Sequence, residues 1–511
     1  MIKTSIENPS QTLPDAFRSQ AQAFPDKLAL ILPHADPDAL PRTISFAEAD
    51  TLIDQYARQL KGYGLQHGNR VAVRLEKSGE GILLFFAILR IGCTFVPVNP
   101  GFTEREAAFL ISESSPSMLI DNCKTAEKIL TDKSIRHCEF MTGGPNDLTL
   151  SETTAPLERG ETSPDDIAAI LFTSGTTGRP KGAPLSHRNL MTNAVELAEC
   201  WSIGPHDRVL HVLPVFHAHG LFIAACMPLI HGAGLIFLPK FDAALVIQHL
   251  TSATVLMAVP AIYTRLLAHE DFNNASCSSL RLMTAGSAPL SPEVFDALQK
   301  RTGLIVVERY GLTETNILTS NPADGSAQIG SVGKPLPSVE MRIVDADGKK
   351  VEPGAVGRVW VRGPAIIKGY LNQPDGVGAW SQDGHFDTGD IGRKDERGFL
   401  WLVGRSKDLI ISGGFNVYPR EVEIVIESLA EVEEAIVFGV AHPDFGEGVV
   451  AAVKSTPGAK ETPDQIERVV RENLARYKQP KKIIFVSDFP RNSLGKVLKI
   501  QLREKYADVF L

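Results

Sequence analysis

Short apolar runs alternate with stretches of helical periodicity along most of the chain. The runs that predict buried strands include Leu28–Leu32, Val71–Leu75, Thr94–Val98, Thr251–Pro260 and Leu280–Ala285. Between two of them, Glu80–Gly92 carries apolar residues at the spacing of a helix. Alternation of this kind predicts an α/β fold with largely parallel sheets, in which functional loops follow the carboxyl ends of the strands.

The pattern changes after Gly333, where short apolar runs are separated by turn signals such as Asp347-Gly348. This stretch predicts a small antiparallel β unit. The last hundred or so residues carry a helical face at Glu421–Leu429, then two strand patterns, then a helix at Pro463–Leu474. We therefore predict a large N-terminal domain at residues 1–404, containing parallel α/β sheets and the small β unit. Residues 405–511 are predicted to form a small mobile α+β domain.

Composition limits the classes of protein that fit. The 511 residues are 43% hydrophobic and 22% charged, which is ordinary for a globular chain of several domains. The net charge of -8 argues against a protein that binds nucleic acid through a basic surface. Six scattered cysteines without a CxxC pair argue against a zinc site or a disulfide framework, and they favour a cytoplasmic protein. The longest apolar stretch, Gly220–Leu238, is interrupted by Pro228 and predicts a buried helix and strand rather than a membrane span.

The segment Phe172–Gly182 is the strongest chemical signal. It holds four hydroxyl side chains, three glycines and one lysine within eleven residues, directly after the apolar run Ile167–Phe172. Glycine lets backbone N–H groups approach an anion, hydroxyls donate hydrogen bonds to phosphate oxygens, and lysine adds a positive charge. The spacing differs from a Walker A loop because Gly182 follows Lys181. The segment predicts a phosphate-binding loop, and the alternative is a flexible surface loop.

Three further segments each have a functional and a structural interpretation. Thr313-Glu314-Thr315 offers oxygen ligands for Mg²⁺, or else begins a helix. His385–Asp390 places two acids in a predicted tight turn, where a carboxylate can accept both hydroxyls of a ribose or close an Asx turn. Gly404–Asp408, followed by Ser412–Phe415, is typical of a hinge or a close ligand approach, or of a solvated linker.

Two signals are weak in isolation. Lys496 follows Gly495 near the C-terminus, and such a lysine usually faces solvent. His217 and His219 are spaced to share one face of a strand, but a metal site needs a third ligand. A packing or gating role is the favoured interpretation of the two histidines.

Together, and in this order, five segments resemble the core motifs of the adenylate-forming enzymes, which include acyl-CoA synthetases, firefly-type luciferases and peptide-synthetase adenylation domains. These segments are Phe172–Gly182, Tyr310–Thr315, Phe386–Asp390, Gly404–Lys407 and Gly495-Lys496. The resemblance covers nearly the whole chain. It implies that ATP, Mg²⁺ and coenzyme A are used, and that an acyl-adenylate forms before a thiol displaces AMP.

The resemblance also implies roles for the residues that match the motifs. The loop expected to hold the ATP triphosphate consists of Thr173, Ser174, Gly175, Thr176, Thr177 and Lys181. The adenine side is expected to be formed by Gly286, Ser287, Ala288 and Tyr310. The ribose ligands are expected to be Asp390 and Arg405.

The catalytic and CoA-side roles follow from the same resemblance. Thr313 is expected to touch phosphate, and Glu314 to hold Mg²⁺ together with Thr173. Lys496 is expected to bridge the attacking carboxylate and the α-phosphate, and Lys407 to lie at the hinge. The residues expected on the CoA side are Gly413, Gly414 and, more weakly, Lys478.

Within the family the sequence most resembles malonyl-CoA synthetases, in the segments Leu213–Phe222, Phe237–Phe241 and Glu308–Gly311. The position before the Tyr-Gly pair is commonly glycine in the superfamily and faces the acyl pocket, but here it is Arg309. A guanidinium there disfavours a fatty or aryl chain, and it can pair bidentately with a second carboxylate. We therefore expect a substrate pocket that includes Arg309, His217 and Ser287. The alternative is that Arg309 pairs with Glu308 or another acid.

The expected function is that of an acid–CoA ligase for malonate. Alternatives in the same class are ligases for methylmalonate, oxalate or a short or medium-chain fatty acid, and an enzyme that loads a carrier protein. Malonyl-CoA synthetases often carry Thr where this chain has Ala218 and Met where it has Leu312, and these departures predict either a pocket widened toward methylmalonate or a preference for another acid. A luciferase-like oxygenase, a P-loop phosphotransferase and a catalytically dead homologue fit the motifs less well. The expected partners are the acid, ATP and CoA, and a homodimer is compatible with the sequence.

Overall fold

The structure is a computed structural model that describes residues 11–34, 40–122, 129–130, 132, 134–140, 162–173, 180–373, 379–413, 415–459, 463–491 and 497–510. The chain divides into two compact units. The first comprises Met1–Glu340 and Arg362–Phe386, and the second comprises Met341–Val361 and Asp387–Leu511. The predicted boundary between residues 404 and 405 falls inside the second unit, and it stays a prediction about which part of the chain moves.

Helices and strands alternate along the first unit, as the apolar pattern predicts. The α-helices of the described residues are α1 (Leu13–Ala23), α2 (Phe46–Gly62), α3 (Gly79–Arg90), α4 (Glu104–Ser114), α5 (His187–Trp201), α6 (Met227–Ile230), α7 (Ala243–Leu250), α8 (Pro260–Leu267), α9 (Pro292–Thr302), α10 (Pro419–Glu427), α11 (Pro463–Asn473) and α12 (Lys499–Lys505). One π-helix spans His219–Cys226, and 3₁₀-helices span Ser406–Asp408 and Arg476–Lys478.

The strands are likewise numbered in chain order. They are β1 (Leu28–Leu32), β2 (Arg42–Ser45), β3 (Arg70–Arg74), β4 (Thr94–Pro97), β5 (Met118–Asp121), β6 (Arg136–Glu139), β7 (Ile167–Thr173), β8 (Lys181–Ser186), β9 (Arg208–His211), β10 (Gly234–Phe237), β11 (Val255–Ala258), β12 (Leu282–Ala285), β13 (Val306–Leu312), β14 (Asn316–Ser320), β15 (Lys334–Pro335), β16 (Glu340–Val344), β17 (Val356–Arg362), β18 (Phe386–Lys394), β19 (Leu400–Arg405), β20 (Ile410–Ser412), β21 (Phe415–Val417), β22 (Val432–His442), β23 (Gly446–Ser455) and β24 (Lys482–Phe485).

The first unit contains two mainly parallel sheets. One has the strand order β6-β5-β3-β4-β7-β8, with only the β7–β8 pair antiparallel. The other has the order β15-β14-β13-β12-β11-β9-β10-β1-β2, in which β2, β14 and β15 are antiparallel to their neighbours. Strands β4, β5, β10, β11 and β12 are buried along their whole length. Strands buried on both faces are typical of parallel sheets covered by helices, so the predicted α/β class is confirmed.

Polar residues begin the helices in this unit. Ser45 and Ser186 each end a strand and accept a hydrogen bond from the backbone three residues on, in capping boxes that begin α2 and α5. Helix α3 is different because every side chain from Ile82 to Leu89 is buried. A helix that is apolar all round is stable only inside the core.

The second unit contains two small sheets. One has the order β16-β17-β18-β19, and the strand-end residues Glu340, Arg362 and Phe386 of this sheet are assigned to the first unit. The other has the order β21-β20-β23-β22, with β24 parallel to β23. Successive residues of β22 point to opposite faces, so that Val437 packs with α10 and α11 while Phe438 packs on the side of α12. The predicted antiparallel unit and the α+β C-terminal region are both present.

Two local predictions are wrong. His385–Asp390 does not form a tight turn, because β18 begins at Phe386 and runs through Asp390. His217 and His219 do not share a strand face, since the chain there enters the π-helix. Among the described residues, no helix combines the length and the apolar character needed to cross a membrane. The five cysteines within the described ranges are all free.

One buried histidine makes the fold sensitive to acid. His187 is the first residue of α5, is 1% exposed, and its Nδ1 accepts a hydrogen bond from the Leu13 N–H at 3.3 Å. Burial lowers the pKa of His187 from 6.5 to about 4, against a smaller opposing effect of Asp166. The unfolded chain therefore takes up this proton first as pH falls. The free energy of unfolding therefore falls as pH drops from 6.5 to about 4, and the full loss below both pKa values is roughly 3 kcal/mol.

We predict that His187→Asn, which keeps an acceptor for Leu13 but does not titrate, flattens this acid loss. The measurement is the apparent melting temperature of wild type and variant from pH 7.5 to 4.5. The wild type should fall more steeply than the variant. The exposed His206→Asn is the matched control and should follow the wild type. Parallel curves for His187→Asn and wild type would contradict the prediction.

Candidate active site

The base of the predicted phosphate loop is an antiparallel hairpin in the first unit. Thr173 ends β7, Lys181 begins β8, and the two are directly opposite in the register. Directly opposite residues of such a pair have Cβ atoms about 4.5–5.5 Å apart. A hydroxyl and an ammonium therefore flank the loop at its base. The predicted loop residues Ser174, Gly175, Thr176 and Thr177 lie outside the described residues.

Glu314 lies in the connection between β13 and β14, which are antiparallel, so the alternative of a helix start is wrong. The Leu312 N–H donates to Thr315 Oγ1 at 3.1 Å, which closes the turn. The Glu314 carbonyl accepts from the Ile367 N–H at 2.9 Å, and its Oε1 accepts from the Tyr370 hydroxyl at 2.8 Å. Thr313, beside it, is partly exposed.

These residues fit a divalent cation that arrives with ATP. Among the described residues, no group of three or more His, Cys, Asp or Glu side chains can hold a metal. Mg²⁺ commonly takes only one or two carboxylates and completes its shell with substrate phosphates and water. Glu314, with the hydroxyls of Thr173 and Thr313 in the same unit, supplies hard oxygen donors of this kind.

The predicted adenine-side residues follow the carboxyl end of β12 or lie on its parallel neighbour β13. Gly286, Ser287 and Ala288 come directly after β12, and Tyr310 is a buried residue of β13. Ser287 has φ of 69°, in the left-handed region that non-glycine residues seldom adopt. Such outliers concentrate at functional sites.

Arg309 on β13 is a buried guanidinium. The residue is 5% exposed, and its Nε and Nη2 atoms have no hydrogen-bond partner among the described residues. Within the same residues no carboxylate forms an ion pair with it. Burial lowers its pKa to about 10, so it stays charged at neutral pH. The guanidinium lies against Gly286, where an added Cβ would be 2.4 Å from Arg309 Cζ.

Glu308 is not the partner of Arg309. Successive strand side chains point to opposite faces, and the Glu308 carboxylate accepts backbone hydrogen bonds from Gly330 and Leu290 instead. Burial raises the pKa of Glu308 to about 7. The described residues therefore give no support to the alternative in which Arg309 is neutralised by Glu308.

His217 and His219 belong to the same unit as Arg309. The His219 Nδ1 is 3.3 Å from Ser287 Oγ, and within the described ranges the Nε2 atoms of both His217 and His219 have no hydrogen-bond partner. Burial lowers the pKa of His217 to about 4. Burial, and then the charge of Arg309, lower the pKa of His219, so both rings are neutral. From the sequence, His217 is expected on the substrate side, whereas His219 is expected to have only a packing or gating role. The contact with Ser287 depends on the π-helix.

Gly220 lies in the π-helix at a close approach of the backbone, and π-helical turns are frequent at functional sites. A Cβ added at Gly220 would lie 1.9 Å from the Pro214 carbonyl oxygen, which is backbone and cannot rotate away. We predict that Gly220→Ala destabilises the first unit by roughly 1–3 kcal/mol and displaces His219. Thermal unfolding measures the loss. Gly204→Ala is the matched control because nothing lies within 4 Å of its Cβ. Equal melting temperatures for the two variants would contradict the prediction.

The predicted ribose ligands, Asp390 on β18 and Arg405 on β19, are directly opposite in the second unit. The Arg405 Nε is 2.9 Å from Asp390 Oδ1, so the two form an ion pair. Gly389 has φ of 71°, and its N–H donates to Asp387 Oδ1 at 3.0 Å. The Asx-type hydrogen bond considered from the sequence is therefore present, but it lies within strand β18 and its acceptor is Asp387. Asp390 instead forms the ion pair with Arg405.

The remaining predicted residues of the second unit lie in short connections. Lys407 is in the 3₁₀-helix after β19, where burial, and then Arg405, lower its pKa. Gly413 follows β20 with φ of 60°, and its N–H donates to the Phe445 carbonyl at 2.8 Å. The Lys478 ammonium pairs with Glu421, so it is engaged within the unit. Gly414 and Lys496 lie outside the described residues.

Comparisons with known proteins cover both units. The model of the family described as AMP-binding enzyme matches residues 17–371, and that of the AMP-binding enzyme C-terminal domain matches residues 421–496. An indoleacetate–CoA ligase of Aromatoleum aromaticum is 34% identical, covering 94% of this chain and 96% of the relative. An oxalate–CoA ligase of Arabidopsis thaliana is 32% identical, covering 96% and 97%. The crystal structure of ATP-bound MatB from Rhodopseudomonas palustris matches with a TM-score of 0.91 and 40% identity, covering 98% of this chain and all of that one.

Proposed function

This chain belongs to the AMP-binding enzyme family, and from that premise we propose that it is an ATP-dependent acid–CoA ligase whose acid is a short dicarboxylate, malonate first. The proposed products are malonyl-CoA, AMP and pyrophosphate, and the proposed location is the cytoplasm. The relatives' names include acids as different as indoleacetate and oxalate. The choice of acid therefore has to come from the residues of this chain.

The observation that carries the proposal is the buried guanidinium of Arg309, which forms no ion pair with a carboxylate among the described residues. Burying a charge without a partner is costly, and a carboxylate that forms two parallel hydrogen bonds is the group that best offsets the cost. Two nitrogens of Arg309 have no partner among the described residues, and the nearby histidines are neutral. A second carboxylate on the substrate supplies the missing negative charge.

The same geometry disfavours the acids that many relatives are named for. The guanidinium fills the space over Gly286, so a fatty or aryl chain entering there would meet a charge and be unable to satisfy it. A three-carbon diacid presents one carboxylate for Arg309 and one for chemistry. His217, His219 and Ser287 add neutral donors that can bind the distal carboxylate without repelling it.

The proposed first step is attack of the free carboxylate on the α-phosphorus of ATP, with pyrophosphate as leaving group. Its barrier is electrostatic because anions must approach one another. Lys181 and the loop that it flanks are proposed to bind the triphosphate, and Lys496 to bridge the carboxylate and the α-phosphate. Mg²⁺, which Glu314 and Thr173 would hold, supplies charge neutralisation on the phosphates. Gly286, Ser287, Ala288 and Tyr310 are proposed on the adenine side.

The proposed second step is attack of the CoA thiol on the acyl carbon, with AMP as leaving group. Asp390 and Arg405 are proposed to hold the ribose, and their ion pair orients both groups. Lys407 is proposed as the hinge about which the small domain turns between steps, and Gly413 and Gly414 as the strip along the pantetheine arm. Because Lys478 already pairs with Glu421, its proposed CoA role requires that pair to open.

Pyrophosphate exchange into ATP, measured with a panel of acids and no CoA, tests the proposal. Malonate should support the fastest exchange, with acetate, butyrate and indoleacetate far slower. Adding CoA should then give a thioester. Equal or faster exchange with a monocarboxylate would contradict the dicarboxylate proposal. Exchange that never yields a CoA thioester would instead favour loading of a carrier protein.

Methylmalonate is the second candidate. Ala218 lies between His217 and His219 at the start of the π-helix, where malonyl-CoA synthetases often carry Thr. The smaller side chain is proposed to accommodate the branch methyl of that diacid. The same exchange assay ranks the two diacids.

A further inference from the structure

Residues 364–371 contact both halves of the candidate nucleotide site in the first unit. The Leu371 N–H donates to the Gly182 carbonyl at 2.8 Å, beside Lys181. The Ile367 N–H donates to the Glu314 carbonyl at 2.9 Å, and Asn316 Nδ2 donates to the Ala365 carbonyl at 3.0 Å. Backbone bonds thus fix this segment against the phosphate-loop hairpin and against the Glu314 turn.

Tyr370 contacts both charged groups from this segment. Its hydroxyl donates to Glu314 Oε1 at 2.8 Å, and the Lys181 ammonium lies 5.0 Å from the centroid of its ring. The edge of the ring packs on Trp380, with centroids 5.8 Å apart at 74°. The position of the ring is therefore set by its neighbours as well as by the two charges.

We propose that Tyr370 is a positioning residue that holds Glu314 ready for the divalent cation and Lys181 ready for the ATP triphosphate. The phenol occupies one carboxylate oxygen and fixes the side chain, which leaves the other oxygen for the cation. The ring face stabilises the ammonium without neutralising it, as a carboxylate would. A direct Lys181–Glu314 pair would instead have to break before ATP could bind. The inference rests on the proposed use of ATP and a divalent cation.

Two variants separate the hydroxyl from the ring. Tyr370→Phe keeps the ring and removes the hydrogen bond, whereas Tyr370→Leu removes both contacts. Electron paramagnetic resonance, with a non-hydrolysable ATP analogue present, measures the affinity for Mn²⁺ and so tests how well Glu314 is held as a ligand. Binding of the same analogue without metal reports on Lys181. Removing a partner that orients a metal ligand typically weakens metal binding about 10-fold or more.

We expect Tyr370→Phe to weaken Mn²⁺ binding by roughly 10-fold and to leave metal-free nucleotide binding unchanged. Tyr370→Leu should weaken both. Saturating Mg²⁺ should restore pyrophosphate exchange in the Phe variant. Tyr56→Phe is the matched control, because Tyr56 is a residue of α2 that packs edge-to-face with Phe140, and this substitution should leave every measurement unchanged.

Mn²⁺ affinity of Tyr370→Phe within twofold of wild type would overturn the proposal. So would a loss of exchange that saturating Mg²⁺ fails to restore, since that indicates a general structural defect. The two binding measurements use neither acid nor CoA. An error in the proposed substrate therefore leaves this test intact, while failure of wild type to bind the analogue and Mn²⁺ would count against both.

Discussion

Replacing Arg309 with alanine is expected to lower kcat/KM for malonate by on the order of 10²–10³-fold while acetate and butyrate lose little. The loss arises because the distal carboxylate is left buried without its partner. Monocarboxylates have no such group, and the truncated pocket offers them apolar space in place of a charge. Pyrophosphate exchange with the three acids, each over a range of concentrations, measures the change.

Two controls separate charge from geometry. Arg309→Lys keeps the charge but loses the planar fork, so it should recover part of the malonate activity and remain below wild type. Arg265→Ala removes an arginine that lies over the Phe241 ring instead, and it should leave the order of acids unchanged. An undiminished preference for malonate in Arg309→Ala would rule out Arg309 as the determinant of specificity.

Replacing Lys496 with alanine is expected to lower adenylation by roughly 10²–10³-fold, the usual cost of removing one fixed group that stabilises transition-state charge. The second step should respond differently, because thiol attack on an acyl-adenylate does not need a cation between carboxylate and α-phosphate. Pre-formed malonyl-adenylate with CoA should therefore still give the thioester. Pyrophosphate exchange measures the first step and thioester formation from the adenylate measures the second.

Lys482→Ala, an exposed lysine at the start of β24, is the matched control for Lys496 and should leave both steps unchanged. Equal loss of the two steps in Lys496→Ala would indicate a general defect rather than a role in adenylation. Unchanged exchange would remove Lys496 from the catalytic proposal.

The fold followed from local patterns to a large extent. The apolar runs at Leu28–Leu32 and Thr94–Val98 became strands because a run of that length and composition has few other ways to be buried. The pattern failed where a long-range contact decided the geometry. The stretch from His385 to Asp390 has the composition of a turn, yet residues from Phe386 onward pair within the β sheet as strand β18.

The candidate site shows the same division. The hydroxyl- and glycine-rich loop is visible in the sequence because its chemistry lies in consecutive residues. Tyr370 was missed since a single tyrosine between Gly369 and Leu371 carries no pattern, and its contacts with Lys181 and Glu314 join distant parts of the chain. His219 was undervalued because the spacing of two histidines predicts a strand, whereas Gly220 permits a π-helix.

The sequence by itself determined the superfamily and the mixed α/β class, because both follow from short contiguous motifs and local apolar patterns, and it predicted the residues expected to meet ATP. It placed Arg309 before Tyr310 but left open whether an acid neutralises it. Only the tertiary structure decided that question for the described residues. Strand alternation turns Glu308 away, and among the described residues Arg309 lies near the neutral His219 and against Gly286 rather than in an ion pair with a carboxylate. The partners of a buried charge depend on which faces of the strands and helices pack together, and the order of residues in the sequence does not state that packing.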